Sequence, residues 1–295
     1  MREETGGVLR AGDGRLRLGW RLLSFGALAL SVTVLVAIVL PAGLLSGSAA
    51  LLIGGVVGGS VLLAAEERSP GALGFYADVG AAAETAKGLG LGVSVGLVVV
   101  GVIALFGGVR WTPEGGTVVG WATGAVGALF FLALPAAAEE VVLRGYPLQA
   151  LAEAWGPAWA LGVTSVAFGA VHVGNPGVTP LGVMNVAAAG LLLGVVYLKT
   201  GSLWWATGAH LGWNWSHGYV SDVPVSGLEL LDAPFYEGVP CGPDWLGGGP
   251  FGPEGSVVAT VVVLATAALC WRSRWLRPSR AALAAEPLAL IGGSR

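Results

Sequence analysis

The chain has 295 residues, of which 55% are hydrophobic and only 11% charged, whereas a soluble domain of ordinary composition carries roughly a quarter charged residues. With a mean hydropathy of +0.76, a water-soluble globule is excluded. The net charge of −3 leaves no basic domain to neutralise a phosphate backbone, which excludes nucleic acid as a partner.

Apolar runs of about 17 residues or more can cross a hydrocarbon layer as helices, and here they fall at residues 22–42, 47–65, 88–108, 117–137, 157–173, 181–198, 202–219 and 255–271. The expected fold class is all-α: a polytopic membrane protein of about eight transmembrane helices, forming one membrane domain over residues 1–295. The first run follows an Arg-rich start, but it is longer than a signal-peptide core and lacks a convincing cleavage site, so it reads as a span. The second contains GGVVGGS, and small residues at four-residue spacing let membrane helices approach closely.

Basic residues concentrate on the cytoplasmic side. With the amino terminus inside, Arg2, Arg10, Arg15, Arg17, Arg21, Arg68, Lys87, Arg144, Lys199, Arg272, Arg274, Arg277, Arg280 and Arg295 are inside, and Arg110 is outside. Both termini are therefore expected in the cytoplasm, with residues 1–21 and 272–295 as tails. Residues 219–254 carry Asp222, Glu229, Asp232, Glu237, Asp244 and Glu254 with no basic residue, as an external Gly/Pro-rich loop would. Trp20, Trp111, Trp155, Trp159, Trp204, Trp205, Trp271 and Trp275 fall near span ends, where indole rings anchor in the headgroup layer. Cys241 and Cys270 lie on opposite sides of the membrane in this topology and cannot pair within one chain.

Titratable side chains inside a span cost several kcal/mol, roughly 2.5 to 3.5 by insertion scales, and are functional suspects by default. The candidates are Glu139 and Glu140 in PAAAEEVVLRGY, Arg144, His172, and His210, Asn214 and His217 in ATGAHLGWNWSHG. On a helix Glu140 and Arg144 face one another, while Glu139 is rotated by about 100° from Glu140. Glu140 then forms a structural pair with Arg144, which leaves Glu139 free for chemistry. Pro135 removes a helical amide and favours a kink that re-aims the glutamates. A turn at Trp155-Gly156-Pro157 puts Glu139 17 residues before Gly156 and His172 16 residues after it, so two antiparallel helices bring the two side chains level. Phe168 with His172, and His210 with Asn214, repeat the four-residue spacing that places side chains on one helix face. His217, two turns beyond His210, reads as an interfacial hydrogen-bonding residue.

At these residues the sequence resembles the CPBP family of intramembrane endopeptidases, which includes CAAX prenyl proteases and bacterial abortive-infection and bacteriocin-immunity proteins. Its motifs EExxxR, FxxxH and HxxxN stand here, in order, as Glu139-Glu140-Val141-Val142-Leu143-Arg144, Phe168-Gly169-Ala170-Val171-His172 and His210-Leu211-Gly212-Trp213-Asn214. The resemblance covers a motif-bearing core at 117–219. It implies a multi-pass protein of the cell membrane that hydrolyses a peptide bond of a membrane-associated substrate. It further implies that Glu139 and His172 activate a water, that His210 and Asn214 stabilise the oxyanion, and that Glu140, Arg144 and Phe168 support them.

Other intramembrane protease signatures are missing: there is no HExxH helix, no membrane serine in a GxSG setting and no aspartate pair within the spans, the AGDG near residue 13 lying in the polar tail. The resemblance implies no cofactor. The residue types alone also permit zinc on Glu139, His172 and His210. The competing reading is a non-proteolytic binding or transport protein that uses the buried Glu and His as a proton or ion pathway.

Overall fold

The computed structural model describes residues 7–12 and 14–291. Arg2, Arg295 and Asp13 of the AGDG stretch lie outside the described residues. The chain is mostly helical, in the order α1 (Leu18–Val39), α2 (Leu44–Ala65), α3 (Ala81–Leu105), α4 (Val118–Glu140), α5 (Tyr146–Trp155), α6 (Pro157–Val171), α7 (Pro180–Thr200), α8 (Leu203–Trp215), α9 (Asp244–Gly247), α10 (Val257–Arg272) and α11 (Arg280–Ala284). Each of the eight apolar runs of the sequence is a helix. Five rods are long and apolar enough to cross a membrane: α1, α2, α3, α7 and the continuous rod 118–155 that joins α4 to α5. Leu35, Ile38, Val98 and Phe130 face outward from these helices, as residues in contact with lipid do. The chain is a multi-pass membrane protein.

The all-α reading needs one correction. β1 (Val109–Pro113) pairs antiparallel with β2 (Tyr236–Pro240), with Arg110 opposite Val239. The strand VRWTP is rich in residues that suit a pleated ribbon, and its pairing ties the α3–α4 connection to the 219–254 segment. That segment is less of an open loop than its Gly/Pro content suggests, because Ala233 and Phe251 are fully buried and Glu254 is 6% exposed. Both cysteines are free.

Close packing by glycine positions the motif helices. The Cβ atoms that Gly54 and Gly58 lack would press into Ala29 of α1, and that of Gly55 would meet Val141. The GGVVGGS stretch thus seats α2 against α1 on one side and against the turn after Glu140 on the other. The α3–α8 seam is closer still: a Cβ on Gly88 would collide with the Trp205 carbonyl, on Gly92 with that of Ala209, on Gly208 with that of Thr85 and on Gly212 with that of Leu89. Two stripes of small residues bring the backbones together and fix α8, which carries His210 and Asn214. Gly92→Ala is therefore expected to lower stability by about 1 to 3 kcal/mol through overpacking. Gly90→Ala, one position off the seam where a Cβ meets open space, should melt with the parent protein in detergent.

Two helical hairpins reach the centre from different depths. Gly156, at φ +82, ends α5, and Pro157 opens α6; Trp155 at this turn is 56% exposed. The α7–α8 turn is recessed, with Thr200 and Ser202 buried and a Cβ on Gly201 sitting 2.9 Å from Leu290. The carboxy-terminal segment plugs it from below: the Ile291 amide donates to the Leu198 carbonyl at 2.8 Å and the Leu288 amide to Gln149 Oε1 at 2.7 Å. At 1.5 Å per residue, His172 lies about 22 Å along α6 from its turn and His210 about 11 Å along α8 from its own. Both histidines nevertheless reach Glu139, at 4.0 and 3.9 Å.

The tryptophan and arginine readings are refined by burial. Trp205 is 5% exposed and packs edge-on against Trp275 at 5.0 Å, so it belongs to the core and not to an anchoring belt. Arg21 is buried and reaches Glu66 and Glu153 at 2.8 Å each, joining the ends of α1, α2 and α5. Arg144 is fully buried and counts as an interior partner, not a loop cation.

Candidate active site

Two of the three helices that carry the motifs, α4 and α8, share a local departure from α geometry. α4 carries Pro135 inside it and continues as far as Glu140. A π-turn follows at Val141–Gly145. A second π-turn, Ser216–Val220, begins two residues after Asn214. Such turns recur at functional sites because they re-aim the side chains around them.

Glu140 and Arg144, both fully buried, are 2.9 Å apart. Arg144 also donates to the Gly190 carbonyl of α7 at 3.2 Å, and its guanidinium lies 4.3 Å from the Phe168 ring centroid. The same Oε1 of Glu140 that takes Arg144 accepts His210 Nδ1 at 2.9 Å. The second glutamate therefore does more than balance Arg144: it orients a histidine of another helix. Phe168 stands edge-on to His172 at 4.8 Å and to His210 at 5.8 Å, so one ring contacts the guanidinium and both imidazoles.

Glu139 points the other way, with its side chain one-third exposed. Its Oε2 faces His172 Nε2 at 4.0 Å and His210 Nε2 at 3.9 Å, and takes no hydrogen bond from any described residue. The tautomers follow from the partners. His172 Nδ1 lies 2.8 Å from the Phe168 carbonyl, which can only accept, so Nδ1 carries the proton and Nε2 presents a lone pair. His210 Nδ1 donates to the Glu140 carboxylate by the same logic. Both Nε2 atoms and the Glu139 carboxylate thus converge on one point in a cavity of about 490 Å³. Asn214 lines that cavity too, among Leu132, Val142, Leu143 and Leu192.

Zinc fits this donor set poorly. Ligands 2.0 to 2.2 Å from a tetrahedral ion lie about 3.4 Å from one another, closer than the separations of 3.9 and 4.0 Å here. No group of three or more His, Cys, Asp or Glu poised for a metal ion occurs among the described residues. A shared water, about 2.6 to 3.2 Å from each group, suits the wider spacing.

His217 departs from its reading as a hydrogen-bonding residue. It is fully buried in the second π-turn, edge-on to Trp213 at 4.4 Å, and neither ring nitrogen has a hydrogen-bond partner among the described residues. Conversely, polar groups that the sequence did not single out line the cavity: Asn175, Asn185, Ser226 and Glu254. Asn185 lies inside an apolar run, and the rule that polar groups there are expensive would have flagged it. Glu254 carried no such signal, because its Gly/Pro surroundings read as open loop.

The family model described as type II CAAX prenyl endopeptidase Rce1-like matches residues 120–216, a segment that contains all three motifs and runs from α4 into the second π-turn. The resemblance drawn from those motifs is borne out over that segment, about a third of the chain. No curated protein and no solved structure matches.

Proposed function

We propose that this chain, similar over residues 120–216 to the Rce1-like endopeptidases, is a glutamate-dependent intramembrane endopeptidase of the cell membrane. The observation that carries this reading is the convergence of Glu139 Oε2 with two imidazole Nε2 atoms at 3.9 and 4.0 Å in a largely apolar cavity. A water donating one hydrogen to Glu139 and the other to His172 Nε2 turns its oxygen lone pairs toward the cavity. Glu139 takes the proton as the water attacks a peptide carbonyl, and returns it to the leaving amine as the C–N bond breaks. The charge that develops on the carbonyl oxygen falls to the Asn214 amide and to His210. Because Nδ1–H of His210 is held by Glu140, His210 carries both protons when it donates from Nε2. Preorganised donors of this kind are worth about 3 to 4 kcal/mol each. The test is to identify membrane peptides that accumulate when Glu139 is replaced, and then to cleave them with the purified wild-type protein. Failure to cleave any of them would favour the ion-pathway reading.

No metal takes part in this scheme. Chelators are expected to leave activity unchanged, and elemental analysis should find no stoichiometric zinc. One tightly bound zinc per chain, with activity lost on chelation and restored by zinc, would sink the metal-free mechanism while leaving the site residues standing.

The same reading puts both termini in the cytoplasm and the 219–254 segment outside, with eight helices crossing. Thirteen basic residues against one still favour that orientation after Arg144 is moved to the interior. A membrane-impermeant maleimide should label the partly exposed Cys241 in intact cells. Labelling only after the inner face is opened would overturn the orientation.

A further inference from the structure

Glu254 lies outside the three motifs, yet it lines the same cavity as Glu139, His172, His210 and Asn214. It is 6% exposed. Trp213 Nε1 donates to its Oε1 at 2.5 Å and the Ser226 hydroxyl to its Oε2 at 2.5 Å. Both donors are neutral, and no basic side chain makes an ion pair with it among the described residues. His217, edge-on to Trp213 from the other side, makes no hydrogen bond to it. The surroundings are rigid: the Glu254 and Ser256 carbonyls accept from Asn185 Nδ2 at 2.7 and 2.8 Å, and Asn175 Nδ2 donates to the Ser226 carbonyl at 3.0 Å. The cavity is therefore lined, beyond the motif residues, by a fixed carboxylate held by an indole N–H and a hydroxyl.

A buried carboxylate without a cation is costly, and this one lines the cavity that holds Glu139, His172 and His210. We propose that the part of the cavity lined by Glu254 is a subsite for a positively charged group of the substrate, an ammonium or guanidinium, whose neighbouring apolar residues fill the rest of the cavity. The proposal rests on the endopeptidase reading, with substrate seated between Glu139 and Glu254. The alternative role for Glu254 is a clasp that joins α8, α7 and the 219–254 segment. Glu254→Gln separates the two, because glutamine keeps the shape and can hydrogen-bond both Trp213 and Ser226 while losing the charge.

The experiment uses the full chain in lipid nanodiscs, in a Glu139→Gln background so that nothing is turned over. The probes are labelled apolar peptides with a single lysine walked along them, each matched to a peptide with norleucine at the same position. At one position the lysine peptide is expected to bind about tenfold more tightly than its norleucine partner. Adding Glu254→Gln should erase that ratio without changing the affinity for the norleucine peptide or the melting temperature. No preference at any position, or a preference that survives Glu254→Gln, overturns the proposal. Should the glutamine variant fail to fold, Ser226→Ala, which removes one neutral donor and keeps the charge, is expected to retain the lysine preference; its loss there overturns the proposal equally. Cleavage of the same peptides by the wild type tests the endopeptidase reading separately, since the binding comparison needs no turnover.

Discussion

Glutamine in place of Glu139 is expected to lower peptide cleavage by about 10²- to 10⁴-fold, the usual weight of a positioned general base, with no change in melting temperature. The amide keeps the length and shape of the side chain but cannot take the proton from water. Stability should hold because Glu139 makes no structural contact that glutamine would lose: its Oε2 has no hydrogen-bond partner among the described residues, and the side chain is one-third exposed. His172→Ala should lose activity comparably, since His172 Nε2 is the second acceptor for the same water. Rates and melting curves measured side by side in detergent check both. A Glu139→Gln protein that still cleaves, beside a folded but inactive Glu140→Gln protein, would reverse the roles given to the two glutamates.

Much of this site was legible before any coordinates, for physical reasons. Titratable groups are so expensive in hydrocarbon that Glu139, Glu140, Arg144, His172 and His210 stand out against apolar runs, and helical spacing alone separates the faces of the two glutamates. The level of Glu139 and His172 could be counted from Gly156, because both arms stay helical over the 17 and 16 residues involved. The depth of His210 could not be counted in the same way. It depends on where the α7–α8 turn sits, and that turn packs against Leu290, a residue distant in sequence. The same limit explains Glu254 and Trp205, whose burial is set by tertiary contacts while their local composition suggests a loop and an interface. Nor does spacing reveal that Glu140 serves two cations' worth of donors: Arg144 is its neighbour along the chain, but His210 reaches it from 70 residues away.

That double service makes Glu140 the position where substitution should cost most in stability. Glu140→Gln leaves the Arg144 guanidinium fully buried without its counter-charge, and removing one partner of a buried pair costs about 3 to 5 kcal/mol. The carbonyl of Gly190 and the face of Phe168 remain as partners for Arg144, but neither carries a formal charge to replace the carboxylate. Activity should fall as well, by a separate route: without the carboxylate, Nδ1–H of His210 is no longer held, and the imidazole is free to swap tautomer or turn away from the oxyanion. A second substitution separates the two effects. Glu140→Gln combined with Arg144→Met removes the stranded cation, and replacing both members of a buried pair by groups of similar volume is often nearly neutral. The double variant should therefore recover most of the lost stability, measured by chemical denaturation in detergent, while cleavage stays low because His210 still lacks its anchor. Recovery of activity along with stability would show that Glu140 serves only to neutralise Arg144, and that His210 finds its orientation from Phe168 and the walls of α8 alone.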